Sequence, residues 1–423
     1  MTMQHAAQIV AETAAPAMLA INNYYYPRGG AEVLFLEQNR MLEEIGWQVV
    51  PFAMRHAQNL ATPWDKYFPD EIEFGKSYGP LAKLVNASRV IYSTQARARL
   101  AALLDTFQPR IAHVHNIYHH LSPSILPLLR DRGIPVVMTV HDLKLACPAY
   151  TMMRDGKPCE SCRGGKVHNV LLNKCIKGSA ALSGLVMLEA AAHRLSRIYE
   201  TGVTRFVVPS RFVLETLVRW GWRRDAFVHI PNFVDIDRFR PDRPIGRRFV
   251  YCGRLDTSKG VETLLRAAAQ AKQPVTFVGR GPAEQSLRDL SQALGVDAVF
   301  TGHVGGDALV GHIESARAVI MPSEVNENAP LAVLEAYAAG RPVIGANIAG
   351  IPELIREGET GALFAPGDVS ALAAQLDQFA HLPDARLAAM GGVGRRWVEQ
   401  DFNARIYRER LLALYASLNG SST

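Results

Sequence analysis

Short Val- and Ile-rich runs alternate with helical patterns along the whole chain, and the alternation starts over in the second half. In the first half "AMLAINNYY", "QVVPFAM", "IAHVHN" and "PVVMTVHD" are separated by stretches such as "AEVLFLEQNRMLEEIGW" and "SPSILPLLRDRG". In the second, "FVYCGR", "PVTFVGR", "AVFTGHV", "AVIMPSE" and "PVIGAN" alternate with helices expected to start near Gly260, Pro282, Gly306, Pro330 and Ile351. Continuous apolar strands divided by helices imply a parallel sheet covered on both faces. At 423 residues the chain exceeds what one core usually serves, so the pattern predicts two doubly wound, Rossmann-like α/β domains. The expected limits are 1–204 and 205–400, with Pro-, Asp- and Arg-rich linker sequence near "VHIPNFVDIDRFRPDRPIGRR". An amphipathic segment at 401–423 stands apart from the last strand and can pack on either domain.

An open parallel sheet binds ligands beyond the carboxyl ends of its strands, so chemistry is expected just after each run. In "GRLDTSKGVETLLRA" a strand ends at Cys252, Gly253 follows, Arg254 and Lys259 occupy the loop, and Gly260 opens a helix. Cations beside unpaired N–H groups at a helix start suit a phosphate or diphosphate. No Walker motif accompanies them, which argues against a phosphate-cleaving ATPase or GTPase. "FVGRGPAEQSL" repeats the arrangement with Gly279, Arg280, Gly281 and Pro282. "YYYPRGGAE" sets Gly29 and Gly30 between a strand and a helix, again letting backbone meet a ligand. A tight strand-to-helix turn is the plain alternative for each of these loops.

"SEVNENAPLAVLEAYAAG" carries two acids eight positions apart. With a strand before it and Pro330 opening a helix, Glu327 precedes the helix start and Glu335 lies about a turn and a half inside it. The backbone N–H groups of Ala329 and Leu331 point toward whatever Glu327 reaches, and a carboxylate there suits vicinal hydroxyls. His141 and Asp142 stand at the tip of another strand in "TVHDLKLACP", where a histidine could bond a ligand or shuttle a proton. "HNIYHHLSP" offers His115, Tyr118 and His119 as acceptor contacts or as loop filling.

Five cysteines include a cluster of four, Cys147, Cys159, Cys162 and Cys175, in an excursion at 147–175. Their spacing allows a structural tetrahedral zinc site with His168 as a substitute ligand; reduced thiols are the alternative. No metal or other cofactor is expected to be needed for catalysis. The N-terminus lacks a basic leader and carries Glu12 within its apolar stretch, and no run approaches the roughly 20 residues of a membrane span. A cytoplasmic protein, soluble or peripheral, is expected. Nearly all of the +6 formal charge lies before residue 205, where 21 Lys and Arg face 16 Asp and Glu. That permits an anionic partner, expected to be a phosphorylated ligand or lipid surface and not a nucleic acid. "KLVNASRVIYSTQARARLAALL", read as a basic helix with Lys83, Arg89, Arg97 and Arg99, could dock on an anionic membrane, a solvated basic face being the equal alternative.

In order, the glycine loop at 29–30, "HD" at 141–142, "PSRF" at 209–212, "PNFVD" at 231–235, "GRLDTSKG" at 253–260, "GRGP" at 279–282 and the Glu327–Glu335 pair resemble the family 4 glycosyltransferases of GT-B fold. The resemblance covers most of the chain. It implies retaining transfer of a hexose-type sugar from a nucleotide-diphosphate donor to a glycan or polyprenyl-diphosphate-linked acceptor, in surface polysaccharide or glycolipid synthesis. It assigns Arg254 and Lys259 to the diphosphate and Glu335 to the ribose. Glu327 with the 328–331 backbone, Asn328 to Leu331, goes to the donor sugar, beside which His141 would lie; Gly30 would lie near the diphosphate. Many relatives read "EGFG" where this chain has Glu327-Asn328-Ala329-Pro330, which leaves the sugar open. A nucleotide-sugar epimerase or hydrolase of the same architecture, or a noncatalytic sugar-nucleotide-binding protein, are the competing classes.

Overall fold

The computed structural model describes residues 15–72 and 80–419, without the side chains of 80–84 and 419. The leader reading, which rests on Glu12, and the Lys83 side chain fall outside the described residues.

The first sheet contains β1 (Ala17–Ile21), β2 (Gln48–Phe52), β3 (Ile111–Val114) and β4 (Val136–Thr139). A small antiparallel hairpin, β5 (Met153–Arg154) and β6 (Lys157–Pro158), lies in the cysteine excursion, and β7 (Arg205–Val208) and β8 (Phe227–His229) then rejoin the sheet. The strand order is β2-β1-β3-β4-β7-β8 and every pairing is parallel. The second sheet comprises β9 (Phe249–Cys252), β10 (Val275–Val278), β11 (Ala298–Gly302), β12 (Val319–Met321), β13 (Val343–Ala346) and β14 (Gly361–Phe364). Its order, β11-β10-β9-β12-β13-β14, is again parallel throughout.

Both faces of these strands are covered, as their unbroken apolar sequence requires. In β1, Leu19 and Ile21 pack into one core and Met18 and Ala20 into another, the period-two alternation of a pleated strand. The helix Gly30–Glu43 closes one face through Leu34, Phe35, Met41 and Leu42. The C-terminal helix Ala404–Asn419 covers the same face with Tyr407, Leu411, Leu414 and Tyr415. Beneath it the Tyr407 hydroxyl donates to Gln38 Oε1 (2.7 Å), and Gln38 Nε2 donates to His113 Nδ1 (3.1 Å). Because that nitrogen accepts, the imidazole proton sits on Nε2 and donates to Thr139 Oγ1 (2.8 Å). Burial drives the His113 pKa down to about 3, so the ring is neutral.

Three expectations change. The first sheet does not stop at residue 204: β7 pairs with β4 and β8 with β7, so the division between the domains falls in the linker between His229 and Phe249. No long helix follows Ile351; a single turn, Pro352–Leu354, leads within a few residues into β14. The basic segment is two helices, Pro80–Ile91 and Thr94–Leu104, because Ser93 caps the second by accepting from the Ala96 N–H. Its arginines are occupied locally: Arg89 bonds Asp70 O and Gln95, Arg97 the Tyr92 hydroxyl, and Arg99 Lys66 O.

Candidate active site

In each sheet the strand order reverses once, between β1 and β3 and between β9 and β12, and an open sheet leaves its crevice there. Residues following both switch points line one cavity of about 720 Å³. Arg28, Gly29, Gly30 and Val33 come from the first domain; Gly253, Arg254 and Lys259 follow β9, Gly279 to Pro282 follow β10, and Ser323, Glu327, Pro330, Leu331 and Glu335 follow β12. Four cations (Arg28, Arg254, Lys259, Arg280) and two carboxylates (Glu327, Glu335) face this space, so its lining carries an excess of positive charge suited to an anion.

The loops can converge because they are glycine where they touch. Gly279 has φ 143°, and a Cβ there would stand 1.9 Å from Gly253 O. Gly260 has φ 67°, and its Cβ would stand 1.8 Å from Pro322 O. Across the opening, a Cβ on Gly30 would meet Leu331 Cδ1 at 3.7 Å. The starts of Gly30–Glu43 and Leu331–Ala338 therefore approach each other, each with unpaired N–H groups and a positive dipole end.

Lys259 Nζ lies 2.6 Å from Glu327 Oε1, which also accepts from Ser323 Oγ at 2.9 Å. Arg254 is largely exposed toward the cavity, its nearest carboxylate being Asp256 at 3.9 Å, while its carbonyl is held by the Tyr251 hydroxyl at 2.8 Å. Burial pushes the Glu335 carboxyl up to about 6, with Arg238 pulling weakly the other way. The Asn328 side chain joins the domains instead of lining the cavity: its Nδ2 donates to Val140 O (2.8 Å) and its Oδ1 accepts from Ser210 Oγ (2.6 Å). Asn232 Nδ2 bonds Ala329 O at 2.8 Å. Glu353 caps the helix Arg211–Arg219 from the other domain by accepting from the Arg211 and Phe212 N–H groups.

His141 Nε2 and His115 Nδ1 are 2.8 Å apart with their rings stacked, and burial lowers the His141 pKa to about 4. His115 is fully enclosed, so it stands behind His141 and is not the acceptor contact expected of it. Tyr118 is also buried, against Tyr199. Of the expected acceptor set only His119 keeps some exposure, and its Nδ1 lies 3.2 Å from Glu189 Oε1.

The sequence reading did not single out Arg28, His303, Ser323 or Glu32. His303 follows β11 just as the other lining residues follow their strands, and that position was its signal. Glu32 sits three residues after the Gly29 N-cap, the spacing of a capping box. Burial raises its pKa, opposed by its own N–H, by Arg28 and by the Asn22 and Asn116 side chains. The four clustered cysteines are free thiols; burial first, and neighbouring sulfurs second, raise the pKa of Cys147, Cys162 and Cys175, and Cys162 is pushed up to about 12. Among the described residues no group of three or more His, Cys, Asp or Glu is arranged to hold a metal ion.

Comparison with known proteins gives these features a family. The profile "Glycosyltransferase Family 4" matches residues 28–238 and "Glycosyl transferases group 1" matches 246–381. The D-inositol 3-phosphate glycosyltransferase of Saccharomonospora viridis is 31% identical over 371 residues, covering 80% of this chain and 77% of that protein. The sulfoquinovosyl transferase SQD2 of Arabidopsis thaliana is 27% identical over 308 residues, 70% of this chain; the match spans 55% of SQD2, and several similar relatives are also spanned over less than two thirds of their length. In fold, the sucrose-phosphate synthase of Thermosynechococcus elongatus superposes with a TM-score of 0.72 at 22% identity, over 97% of this chain and all of the other. With both halves matched and four fifths of its length aligned at 31% identity, the chain belongs to the group 1, family 4 glycosyltransferases of GT-B fold.

Proposed function

We propose that the protein transfers a hexose-type sugar from a nucleotide-diphosphate sugar to a glycan or polyprenyl-diphosphate-linked acceptor, with retention at the anomeric carbon. It would act in surface polysaccharide or glycolipid synthesis at the cytoplasmic face of a membrane. The observation that carries this reading is the cation-lined cavity between two helix N-termini, with Glu335 at its side. The names of relatives that act on phosphatidylinositol monomannoside or on D-inositol 3-phosphate support it.

In this reading the diphosphate lies against Gly30, Arg254 and Lys259, and the Glu335 carboxylate accepts from the ribose hydroxyls. Glu327 and the N–H groups at the start of Leu331–Ala338 hold the transferred sugar, with His141, neutral at physiological pH, beside it. As the bond from the anomeric carbon to diphosphate oxygen breaks, negative charge grows on the leaving group where Arg254 and Lys259 already stand. The acceptor oxygen then bonds the same face of the carbon, and its proton passes to the departing diphosphate. No metal is assigned to these steps. The interdomain bonds of Asn328 and Glu353 keep the cleft closed, limiting hydrolysis.

A panel of UDP-, GDP- and ADP-sugars tests the reading. One donor is expected to raise the melting temperature and to lose its sugar only when acceptor is present, giving a product of unchanged anomeric configuration by NMR. Stabilisation by none of them, or turnover that needs no acceptor, would reject it.

A further inference from the structure

The helix Ala180–Ser196 is built inside out. A helix on the surface of a soluble domain turns its leucines inward and its charges to water. Here the inward face carries Ser183, Val186, Glu189 and His193, all buried. Glu189 has no exposure; burial alone would raise its pKa, yet Lys144 Nζ at 2.9 Å and His119 Nδ1 at 3.2 Å hold it at about 2. The His193 ring donates through Nε2 to Ile91 O at 2.7 Å, tying this helix to the end of Pro80–Ile91. The opposite face presents Ala181, Leu185, Leu188, Ala192 and Leu195, spaced i, i+4, i+7, i+11, i+14. Leu188 is 55% and Leu195 86% exposed. The short helix Asn169–Leu172 packs alongside, Leu171 lying over Gly184, and carries Leu172 at 70% exposure.

Charge around this apolar surface is mostly of one sign, with exposed Glu160, paired with Arg163, and exposed Glu200 at its two ends. Between residues 161 and 199 there are six Lys or Arg, Arg163, Lys166, Lys174, Lys177, Arg194 and Arg197, all exposed. The one acid in that span is the buried Glu189. No helix of the described residues is long and apolar enough to cross a membrane.

We propose that this hairpin of helices, residues 163–197, lies on an anionic lipid bilayer, with its leucines at the boundary of headgroups and acyl chains and its cations on lipid phosphates. A second copy of the chain fits worse, because a two-fold contact through this face would set the six cations of one protomer against the same six of its partner. Through the Glu189–Lys144 ion pair the docked helix is bolted to the loop that begins at His141. That bond would seat the cleft at the surface where a lipid-borne acceptor lies. This last link rests on the proposed function; the docking does not.

The test floats the full chain, without donor or acceptor, with phosphatidylcholine vesicles and with vesicles also containing phosphatidylglycerol. Binding to the anionic vesicles is expected, falling at least about tenfold in Leu188→Ser/Leu195→Ser. Lys174→Gln/Lys177→Gln/Arg194→Gln is expected to erase the difference between the two vesicle types. Circular dichroism melting confirms that each variant folds. Failure of the wild type to float, or flotation unaffected by the serine pair, overturns the proposal. So does a dimer that the serine pair converts to monomer, which would make a second copy the occupant. A wild type that transfers sugar but does not float would sink the docking alone; a wild type that floats but transfers from no donor would sink the catalytic reading alone.

Discussion

Replacing Glu335 with glutamine is expected to do two opposite things: loosen the nucleotide sugar and stabilise the empty protein. Burial raises this carboxyl from 4.5 to about 6. A carboxyl whose folded pKa lies above its unfolded value costs nothing while both states are protonated. The cost grows as pH climbs from the unfolded value and is complete above about 6. A shift of that size corresponds to about 2 kcal/mol at neutral pH. Glutamine keeps the shape and removes the charge, so a rise in melting temperature of about 4 °C is expected near neutral pH, vanishing toward pH 4.

The ligand sees the reverse. Only the ionised carboxylate accepts from both ribose hydroxyls, and it is about nine-tenths ionised at pH 7 but about one-tenth at pH 5. The wild-type kcat/KM for donor should therefore fall about tenfold across that interval, while the Glu335→Gln profile stays low and loses this limb. His141 is neutral across the same range, its pKa having been lowered by burial to about 4, so it contributes no competing limb. Calorimetry paired with donor kinetics at the two pH values measures both effects. A variant that binds donor as the wild type does, or that melts lower at neutral pH, would refute the reasoning.

Lys259→Ala should lower kcat by about 10²–10³-fold, the usual cost of removing one preorganised donor to developing charge. Its partly exposed pair with Glu327 should move stability by no more than about 1 kcal/mol; steady-state turnover near wild type would dismiss the role. Asn328→Ala removes two hydrogen bonds between the domains, about 2 kcal/mol of closure. A higher donor KM and a larger radius of gyration by X-ray scattering are expected, and neither should change if the residue is no clasp. Gly279→Ala forces a Cβ toward Gly253 O and should cost at least about 3 kcal/mol in a urea titration; an unshifted midpoint would show that the loops part easily.

What could be read from the chain alone was whatever has a local period or a local ending. The parallel strands announced themselves as unbroken apolar runs, and Gly253, Arg254, Lys259, Glu327 and Glu335 stood where strands stop. The failures involve partners remote in sequence. Nothing near residue 204 says that Arg205–Val208 will pair with Val136–Thr139, so the boundary was set too early. His115 looked like a polar loop residue in "HNIYHH". Its burial follows from His141, 26 positions later, and from Phe35 on the first helix, whose ring stands edge-on at 5.0 Å. The helix expected after Ile351 is cut short because the chain must return through Gly358 to pair Gly361–Phe364 with Val343–Ala346.

The helix Ala180–Ser196 shows the same limit from its other side. Its segment "SGLVMLEAAAHRL" reads as an apolar run broken by charge, and the charge counts against insertion into a membrane. Periodicity says which residues share a face but not which face turns inward. That choice is made by partners: Lys144 lies 45 positions before Glu189, and the carbonyl of Ile91 lies 102 before His193. Once these take the acid and the histidine inside, satisfied and paired, the leucines have nowhere to go but out. The residues that argued against a spanning helix are thus the ones that leave an apolar stripe on the surface.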